Sequence, residues 1–290
     1  MSKTLVGILC GLSAAAIWGG MYVVSKVVLD IIPPFSLVSL RLILGVLTLV
    51  IVMWIRGFPK ISRKQLFQVL GVGLVGYGIS LSLQFLGTKL STAANGSLVT
   101  SATPAFVLIF AAILLKERIT PLRLIALFLA TLGVVAVIDP RSAQLDPDLF
   151  LGNILLIGAA VTWALYSVLV RKATQNLDVI PFSLIAFLGG LPVVVPVGAW
   201  ELKTIGVGEL SLGVVGGVLF IGIISTALAM VLWNNAFALV DASLVSLTFF
   251  AQPVVGTVLG WLFLGERITP LFLLGGLLIG LGLVISSREA

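Results

Sequence analysis

The chain is poor in charge, has no histidine and contains a single cysteine. Of its 290 residues, 17 are Lys or Arg and 11 are Asp or Glu, so charged residues make up 10%, against about 25% in soluble domains. The absence of histidine excludes serine–histidine triads, histidine metal sites and imidazole proton relays. Cys10 alone cannot form an internal disulfide or a cysteine metal cluster. We therefore predict that the chain is not an enzyme and holds neither a metal nor a cofactor.

What the chain has in abundance is hydrophobic residues, which make up 60% of it and give a mean hydropathy of +1.25. The net charge of +6 is compatible with nucleic-acid binding. However, the basic residues fall in short connectors between long apolar runs, which is the pattern of membrane topology. We expect membrane lipid around this protein and no nucleic-acid partner.

Ten apolar runs are long enough to be membrane spans, since a bilayer core about 30 Å thick needs roughly 20 residues per helix. The first run is too long for the core of a signal peptide. Connectors of about 4 to 13 residues leave no room for a domain outside the membrane. The predicted fold is an all-α membrane protein of ten transmembrane helices, near residues 5–29, 34–55, 65–87, 92–115, 121–139, 150–171, 180–200, 210–236, 242–264 and 270–286.

The distribution of Lys and Arg predicts how the chain is oriented. Eleven of these residues lie on the side of the membrane that holds both termini and five lie on the opposite side, with Arg41 left inside the second span. Because positive residues are enriched on the cytoplasmic side, we predict a multi-pass protein of the cytoplasmic (inner) membrane. Both termini are then in the cytoplasm.

The two halves of the chain resemble each other at offsets of roughly 145 to 149 residues, as an internal repeat does. Residues 34–37 recur identically as 181–184, and residues 117–122 recur as 266–271. Each half holds five predicted spans, and an odd number makes the second repeat enter the membrane from the opposite side. The predicted organisation is a first five-helix repeat, a connecting loop and an inverted second repeat, over residues 1–140, 141–149 and 150–290.

Inverted repeats favour transport, because two matched halves can exchange conformations and open a shared midplane site to each side in turn. Two alternatives stay open at this point. Channels also use duplicated halves, and a duplication can be kept for packing alone.

Several motifs occur once in each half: a central Trp in helices one and six, and a proline followed by an apolar run into a Glu-Arg step. With Arg41 in helix two, they make residues 5–286 resemble the EamA family of the drug/metabolite transporter superfamily. Length and aromatic placement are most similar to bacterial amino acid exporters of the YddG type. The motif residues are Trp18, Trp163, Pro104, Glu117, Arg118, Pro253, Glu266 and Arg267.

The resemblance implies two helical bundles around a central cavity, lined mainly by helices one, three, four, six, eight and nine. The sequence departs from the family pattern in one place, since Lys116 replaces the Gly expected before Glu117 whereas Gly265 keeps it. A tight turn at the first copy is therefore less expected than at the second.

A substrate site near the midplane should show as polar or aromatic side chains at the centres of several spans. Lipid gives aromatic rings no reason to gather there, and hydroxyls and amides in lipid need partners. The alternative is that these residues pack helix crossings or form interhelical hydrogen bonds. The predicted substrate-binding residues are Trp18, Tyr22, Tyr77, Ser80, Gln84, Ser101, Trp163, Tyr166, Asn234 and Gln252.

Several further positions carry structural or mechanical predictions. Pro104 and Pro253 remove a backbone donor within a span and are predicted hinges or gates. Arg41 is a candidate for function because it is charged and inside a span, although it could instead snorkel outward or bond neighbouring carbonyls. Glu117 and its repeat mate are expected to cap and end helices. Glycines within 71–78 and 213–222 should permit close helix approach.

The acidic residues avoid the span centres, whereas proton antiporters usually keep a buried carboxylate. We therefore predict a secondary transporter that exports small metabolites by alternating access and is driven by the substrate gradient, without proton coupling. The expected substrates are amino acids, aromatic or otherwise neutral, and the protein is expected to act as a monomer. A multidrug or organic-cation exporter is the alternative, because an aromatic cavity also suits flat cations; a channel is a further one.

Overall fold

The computed structural model of the chain describes residues 2–91, 102–138, 149–264 and 270–288. These residues are helical, with no strand among them. Ser101 and the predicted connecting loop up to residue 148 lie outside the described residues. The helical segments are α1 (Lys3–Leu29), α2 (Pro34–Arg56), α3 (Arg63–Gly73, Leu74–Ser80 and Leu81–Lys89), α4 (Thr103–Leu114), α5 (Pro121–Ile138), α6 (Phe150–Ala173), α7 (Val179–Ile205), α8 (Leu212–Leu219, Phe220–Leu228 and Ala229–Leu239), α9 (Ala242–Leu247, Thr248–Phe250 and Ala251–Leu264) and α10 (Pro270–Ser287).

Six of these helices, α1, α2, α3, α6, α7 and α8, are long and apolar enough to cross a membrane. The described parts of the other four are apolar but shorter. The prediction of an all-α membrane protein is therefore confirmed for the described residues. That ten helices cross the membrane stays a prediction, and the first part of the fourth predicted span lies outside the described residues.

The ends of the long helices follow local chemistry that recurs in the two halves. Gly57 ends α2 and Gly206 ends α7, both with positive φ, which glycine adopts without steric cost. Each is followed by a serine, Ser62 or Ser211, whose side chain accepts a hydrogen bond from a backbone N–H of the next helix. The same stop-and-start signal thus joins α2 to α3 and α7 to α8.

Two helices carry a π-helical stretch at corresponding places in the two halves. It covers Leu74–Ser80 in α3 and Phe220–Leu228 in α8. π-helical turns are rare and frequently lie at functional sites. The repeat is therefore visible in backbone irregularities as well as in sequence.

Helix packing pairs the halves with each other. Helix α2 packs on α7, and α5 on α10. Helix α1 packs on α8 and α9, while α6 packs on α3 and α4, so these contacts recur when the two halves are exchanged. The core consequently lies between the halves, where a shared site would be.

Candidate functional site

A cavity lies where the two halves meet. It is bounded by α1, α2, α3, α4, α6, α8 and α9, which are the six helices that the family resemblance implied together with α2. The lining residues are Trp18, Met21, Arg41, Ser80, Leu81, Gln84, Thr103, Ala159, Ala160, Trp163, Met230, Phe249 and Gln252.

Tryptophans from the two halves form an aromatic wall. The rings of Trp18 and Trp163 lie edge to face, with centroids 6.1 Å apart. Trp18 also contacts Trp233 at 5.3 Å and Phe249 at 6.2 Å. Its indole Nε1 donates to the carbonyl oxygen of Ser225 at 3.0 Å, which holds the ring in place. Such a wall can pack against a flat or apolar substrate group.

Two polar atoms on the cavity wall find no hydrogen-bond partner among the described residues. They are the indole Nε1 of Trp163 and the carbonyl oxygen Oε1 of Gln252. The two side chains are only 8% and 6% exposed. A buried polar group without a partner is costly, so these two atoms are candidate hydrogen-bonding groups of the site.

Arg41 also lines the cavity. Its side chain is buried, so it does not snorkel to the helix end as its position in α2 allowed. Its Nε donates to Oγ1 of Thr226 at 2.8 Å, and that hydroxyl donates to the carbonyl oxygen of Ile221 at 2.7 Å. Thr226 belongs to the π-helical stretch of α8, so this irregular turn supplies the anchor for the guanidinium.

Three predicted site residues lie behind the wall instead of on it. The hydroxyls of Tyr77 and Tyr166 are hydrogen-bonded to each other, and Tyr166 also donates to Oδ1 of Asn234 at 2.8 Å. Asn234 in turn donates to Oγ of Ser183 at 2.9 Å. All are fully buried. This cluster ties α3, α6, α7 and α8 together, and the ring of Tyr166 lies 5.0 Å from that of the cavity-lining Trp163.

The other predicted residues divide between the cavity and elsewhere. Ser80 and Gln84 line the cavity, and Ser80 Oγ donates to the carbonyl oxygen of Ala159 at 2.9 Å. Tyr22 belongs to α1, but its side chain is outside the described part of the structure, as is the whole of Ser101.

The two predicted hinges are placed differently. Pro104 lies in the first turn of the described part of α4 and contacts a small void away from the cavity. Pro253 lies in α9 just after the 3₁₀ turn Thr248–Phe250. It has no N–H to donate to the carbonyl of Phe249, so the regular helical hydrogen bond is missing there. The 3₁₀ turn with the cavity-lining Phe249 precedes the proline.

Sequence reasoning missed several residues of this site. Trp233 packs against the ring of Trp18. In the sequence, its mid-span position beside Asn234 was the one feature that could have indicated a place near the site. Met21, Met230 and Phe249 line the cavity but look like ordinary apolar span residues. Their role depends on which helix face turns inward, which the apolar pattern of a membrane helix does not show.

A charged cluster lies at one end of the bundle. Glu117 accepts hydrogen bonds from the backbone N–H groups of Ala242 and Ser243, at 2.9 and 3.2 Å. It therefore caps the start of α9. The sequence had predicted that it would cap a helix at its own span end, so the helix that it caps is a different one. Arg123 and Arg171 both pair with Asp241, at 2.8 and 3.2 Å, and both approach Glu117.

The chemistry of the cavity is that of binding. Among its described lining residues there is no carboxylate, and within the described ranges no three Cys, Asp or Glu side chains are grouped as metal ligands. The described wall comprises indole rings, a guanidinium, hydroxyls and amide side chains. These groups can hold a small organic molecule with an apolar part and a polar end.

Comparison with known proteins agrees with this description. The profile of the EamA-like transporter family matches residues 5–138 and again 150–288. An uncharacterized transporter of Archaeoglobus fulgidus is 30% identical over 273 residues, covering 94% of this chain and 95% of the relative. The uncharacterized transporter YoaV of Bacillus subtilis is 24% identical over 294 residues, covering 99% and 97%.

A solved crystal structure shares the fold, with a TM-score of 0.84 at 21% identity over 98% of this chain and 97% of that one. The names of the two transporter relatives specify no substrate. Since the family profile covers nearly the whole chain in two copies, the chain belongs to the EamA-like transporter family and is a multi-pass membrane protein.

Proposed function

We propose that this protein is a secondary transporter that moves small metabolites, foremost aromatic or other neutral amino acids, through the central cavity by alternating access. The observation that carries the proposal is the cavity itself, walled by Trp18 and Trp163 from opposite halves. A cavity shared by two matched halves can be exposed to each side in turn. We also propose that the protein is similar in function to amino acid exporters of the YddG type and that it transports its substrate outward.

The organic-cation alternative is less favoured by the cavity. Arg41 lines it, and no Asp or Glu does so among the described residues. A cationic substrate would therefore meet a positive charge on the described part of the wall. The lack of a carboxylate among the described lining residues also supports gradient-driven transport over proton coupling.

The proposed architecture comprises ten spans in two inverted repeats, 1–140 and 150–290, acting as a monomer in the inner membrane with both termini cytoplasmic. Two observations support it. The family profile matches each half separately. The connectors before α5, after α6 and before α9, which the topology puts on one side, meet in the cluster of Glu117, Arg171 and Asp241.

Substrate counterflow in proteoliposomes tests the proposed function. A panel of twenty amino acids and several organic cations should show saturable exchange of neutral amino acids. Trp163→Ala should cut that exchange several-fold because the aromatic wall is lost, whereas Trp54→Ala, on an 80% exposed side chain, should leave it near wild type. Exchange that is confined to cations, does not saturate, or stops when an imposed proton gradient is collapsed would contradict the proposal.

The proline in α9 should affect speed more than affinity. Pro253→Ala restores a backbone N–H and lets α9 run as regular helix past Phe249, which stiffens the segment. We expect a lower maximal exchange rate with a nearly unchanged half-saturation concentration. Pro192→Ala, inside α7 and exposed, is the matched control and should alter neither quantity. An unchanged rate in Pro253→Ala would argue against a hinge there.

A further inference from the structure

The helices around the cavity form two groups, and each group contains helices from both halves. In the first group α6 packs on α3 and α4, and in the second α1 packs on α8 and α9. The cavity lies between the groups, since Ser80 and Trp163 line it from the first and Trp18 and Gln252 from the second. Alternating access through this cavity requires the groups to separate at one end while they meet at the other.

The charged cluster joins the two groups at one end of the bundle. Glu117 follows α4 and Arg171 lies at the end of α6, both in the first group, whereas Asp241 precedes α9 in the second. Arg171 pairs with Asp241 at 3.2 Å and donates to the carbonyl oxygen of Phe237 in α8 at 3.0 Å. Arg123, at the start of α5, pairs with Asp241 at 2.8 Å. The bonds of Glu117 and Arg171 to the α8–α9 turn therefore bridge the groups.

The cluster lies at the end of the bundle that holds both chain termini. A Cβ atom at Gly7, near the start of α1, would touch Val240, which precedes the cluster residue Asp241. Ser286, at the end of α10, lines a small void together with Arg123. In the proposed orientation this is the cytoplasmic end.

The route from the cavity to this end is filled by buried side chains of the described residues. On α6, the cavity-lining Trp163 is followed by the fully buried Tyr166 and then by Arg171. On α8, the cavity-lining Met230 is followed by the fully buried Asn234. Tyr166 donates to Oδ1 of Asn234 at 2.8 Å, so the groups also touch between the cavity and the cluster. The groups are thus closed on each other at the cytoplasmic end.

We propose that Glu117, Arg123, Arg171 and Asp241 form a salt-bridge gate that holds the cytoplasmic end closed and makes this the resting conformation of the carrier. The inference rests on the proposed function, of which alternating access is a part. Opening towards the cytoplasm separates the groups, so it breaks the bonds of Glu117 and Arg171 to the α8–α9 turn. The gate residues must then exchange these partners for water.

The repeat shows why the gate favours one of the two conformations. The four gate residues and their repeat mates are Glu117 with Glu266, Arg171 with Lys26, Asp241 with Thr92 and Arg123 with Phe272. The first two pairs keep the charge, and the other two lose it. When the halves exchange conformations, the mates take the corresponding places at the opposite end. That end then closes on one acid and one base in place of two of each, so the conformation closed at the cytoplasmic end is the more stable one.

Thiol labelling of the full-length protein in lipid tests the gate without any transport measurement. Cys10→Ser removes the native thiol, and Ser246→Cys adds one on a 2% exposed residue that lines a small void shared by α4, α5 and α9. N-ethylmaleimide should react slowly at position 246 because the gate is closed. Asp241→Asn should raise this rate about tenfold, since the open state is a minor population that loss of the gate enlarges. Asp241→Glu keeps the charge and should keep the slow rate.

Controls and a second variant make the outcome specific to the gate. Val38→Cys, on a fully buried residue of α2, reports general loosening and should label slowly throughout. Asp178→Asn, on an exposed carboxylate before α7, should leave the rate at position 246 unchanged. Arg171→Gln should act like Asp241→Asn and decides the question if that variant does not fold. An unchanged rate in the folded variants, equal rises at positions 38 and 246, or fast labelling at 246 before either change would overturn the gate.

Labelling and counterflow separate this inference from the proposed function. The expected labelling without saturable counterflow would leave the gate standing as a switch between two conformations and would remove the transport proposal. Saturable counterflow together with unchanged labelling in the gate variants would remove the gate and leave the transport proposal standing.

Discussion

A Gly73→Ala variant should lose much of its thermal stability, whereas Gly71→Ala, on the opposite face of the same helix, should keep it. A Cβ atom at position 73 would collide with the backbone carbonyl of Ala186 in α7, and a Cβ at 189 would collide in the same way with the carbonyl of Leu70 in α3. The backbones of α3 and α7 thus touch through two reciprocal glycines, as in small-residue helix interfaces. A backbone carbonyl cannot rotate away as a side chain can, so the helices themselves must separate.

The expected size of this effect follows from the packing of the interface. Overpacking a tight core costs about 1–3 kcal/mol and occasionally more, which in a protein of this size lowers the melting temperature by roughly 2–5 °C. Position 71 has nothing within 4 Å of a new Cβ, and alanine there should raise helix stability by about 0.5–1 kcal/mol. Differential scanning fluorimetry of both variants in detergent measures the difference. Equal melting temperatures would contradict the close approach of α3 and α7.

These two glycines show how far the sequence determines the fold. The repeat, the all-helical class and the glycine-rich stretch of α3 could be predicted from residue patterns alone. Which glycine faces the partner helix could not, because a span that is apolar on every side carries no amphipathic signal for its inward face. Only the packing of α3 against α7 separates Gly73 from Gly71.

The same limit explains the mixed outcome for the candidate site. Trp18, Trp163 and Gln252 line the cavity as their mid-span positions indicated. Tyr77 and Asn234 occupy mid-span positions too. However, the Tyr77 hydroxyl and the Asn234 amide both form hydrogen bonds with protein groups in a buried cluster, where Tyr166 bonds to each of them. A polar residue in a span needs partners, and sequence does not distinguish a partner in the protein from a partner in the substrate.

The largest effect of a single charge should come from Glu117→Gln. The Glu117 carboxylate is 10% exposed and accepts from the N–H of Ala242, the N–H of Ser243 and the Ser243 hydroxyl, the last at 2.6 Å. Its charge, with that of Asp241, balances Arg123 and Arg171. Removing one member of such a buried group costs about 3–5 kcal/mol, so we expect the melting temperature to fall by roughly 5–8 °C.

Glutamine is the informative substitution because it keeps the size and one acceptor oxygen of Glu117 while it removes the charge. Its NH₂ group would face backbone N–H groups and guanidinium groups, which are donors as well. Glu209→Gln, in the exposed connector before α8, is the matched control and should melt with the wild type.

A second variant distinguishes lost charge balance from lost capping of α9. Adding Arg123→Met to Glu117→Gln restores the balance of charges but not the cap, so part of the stability should return if the ion pairs dominate. If the double variant is less stable than Glu117→Gln by the full cost of Arg123→Met alone, the cap dominates. If Glu117→Gln melts with the wild type, the cluster does not hold the α4–α5 connector, the end of α6 and the start of α9 together.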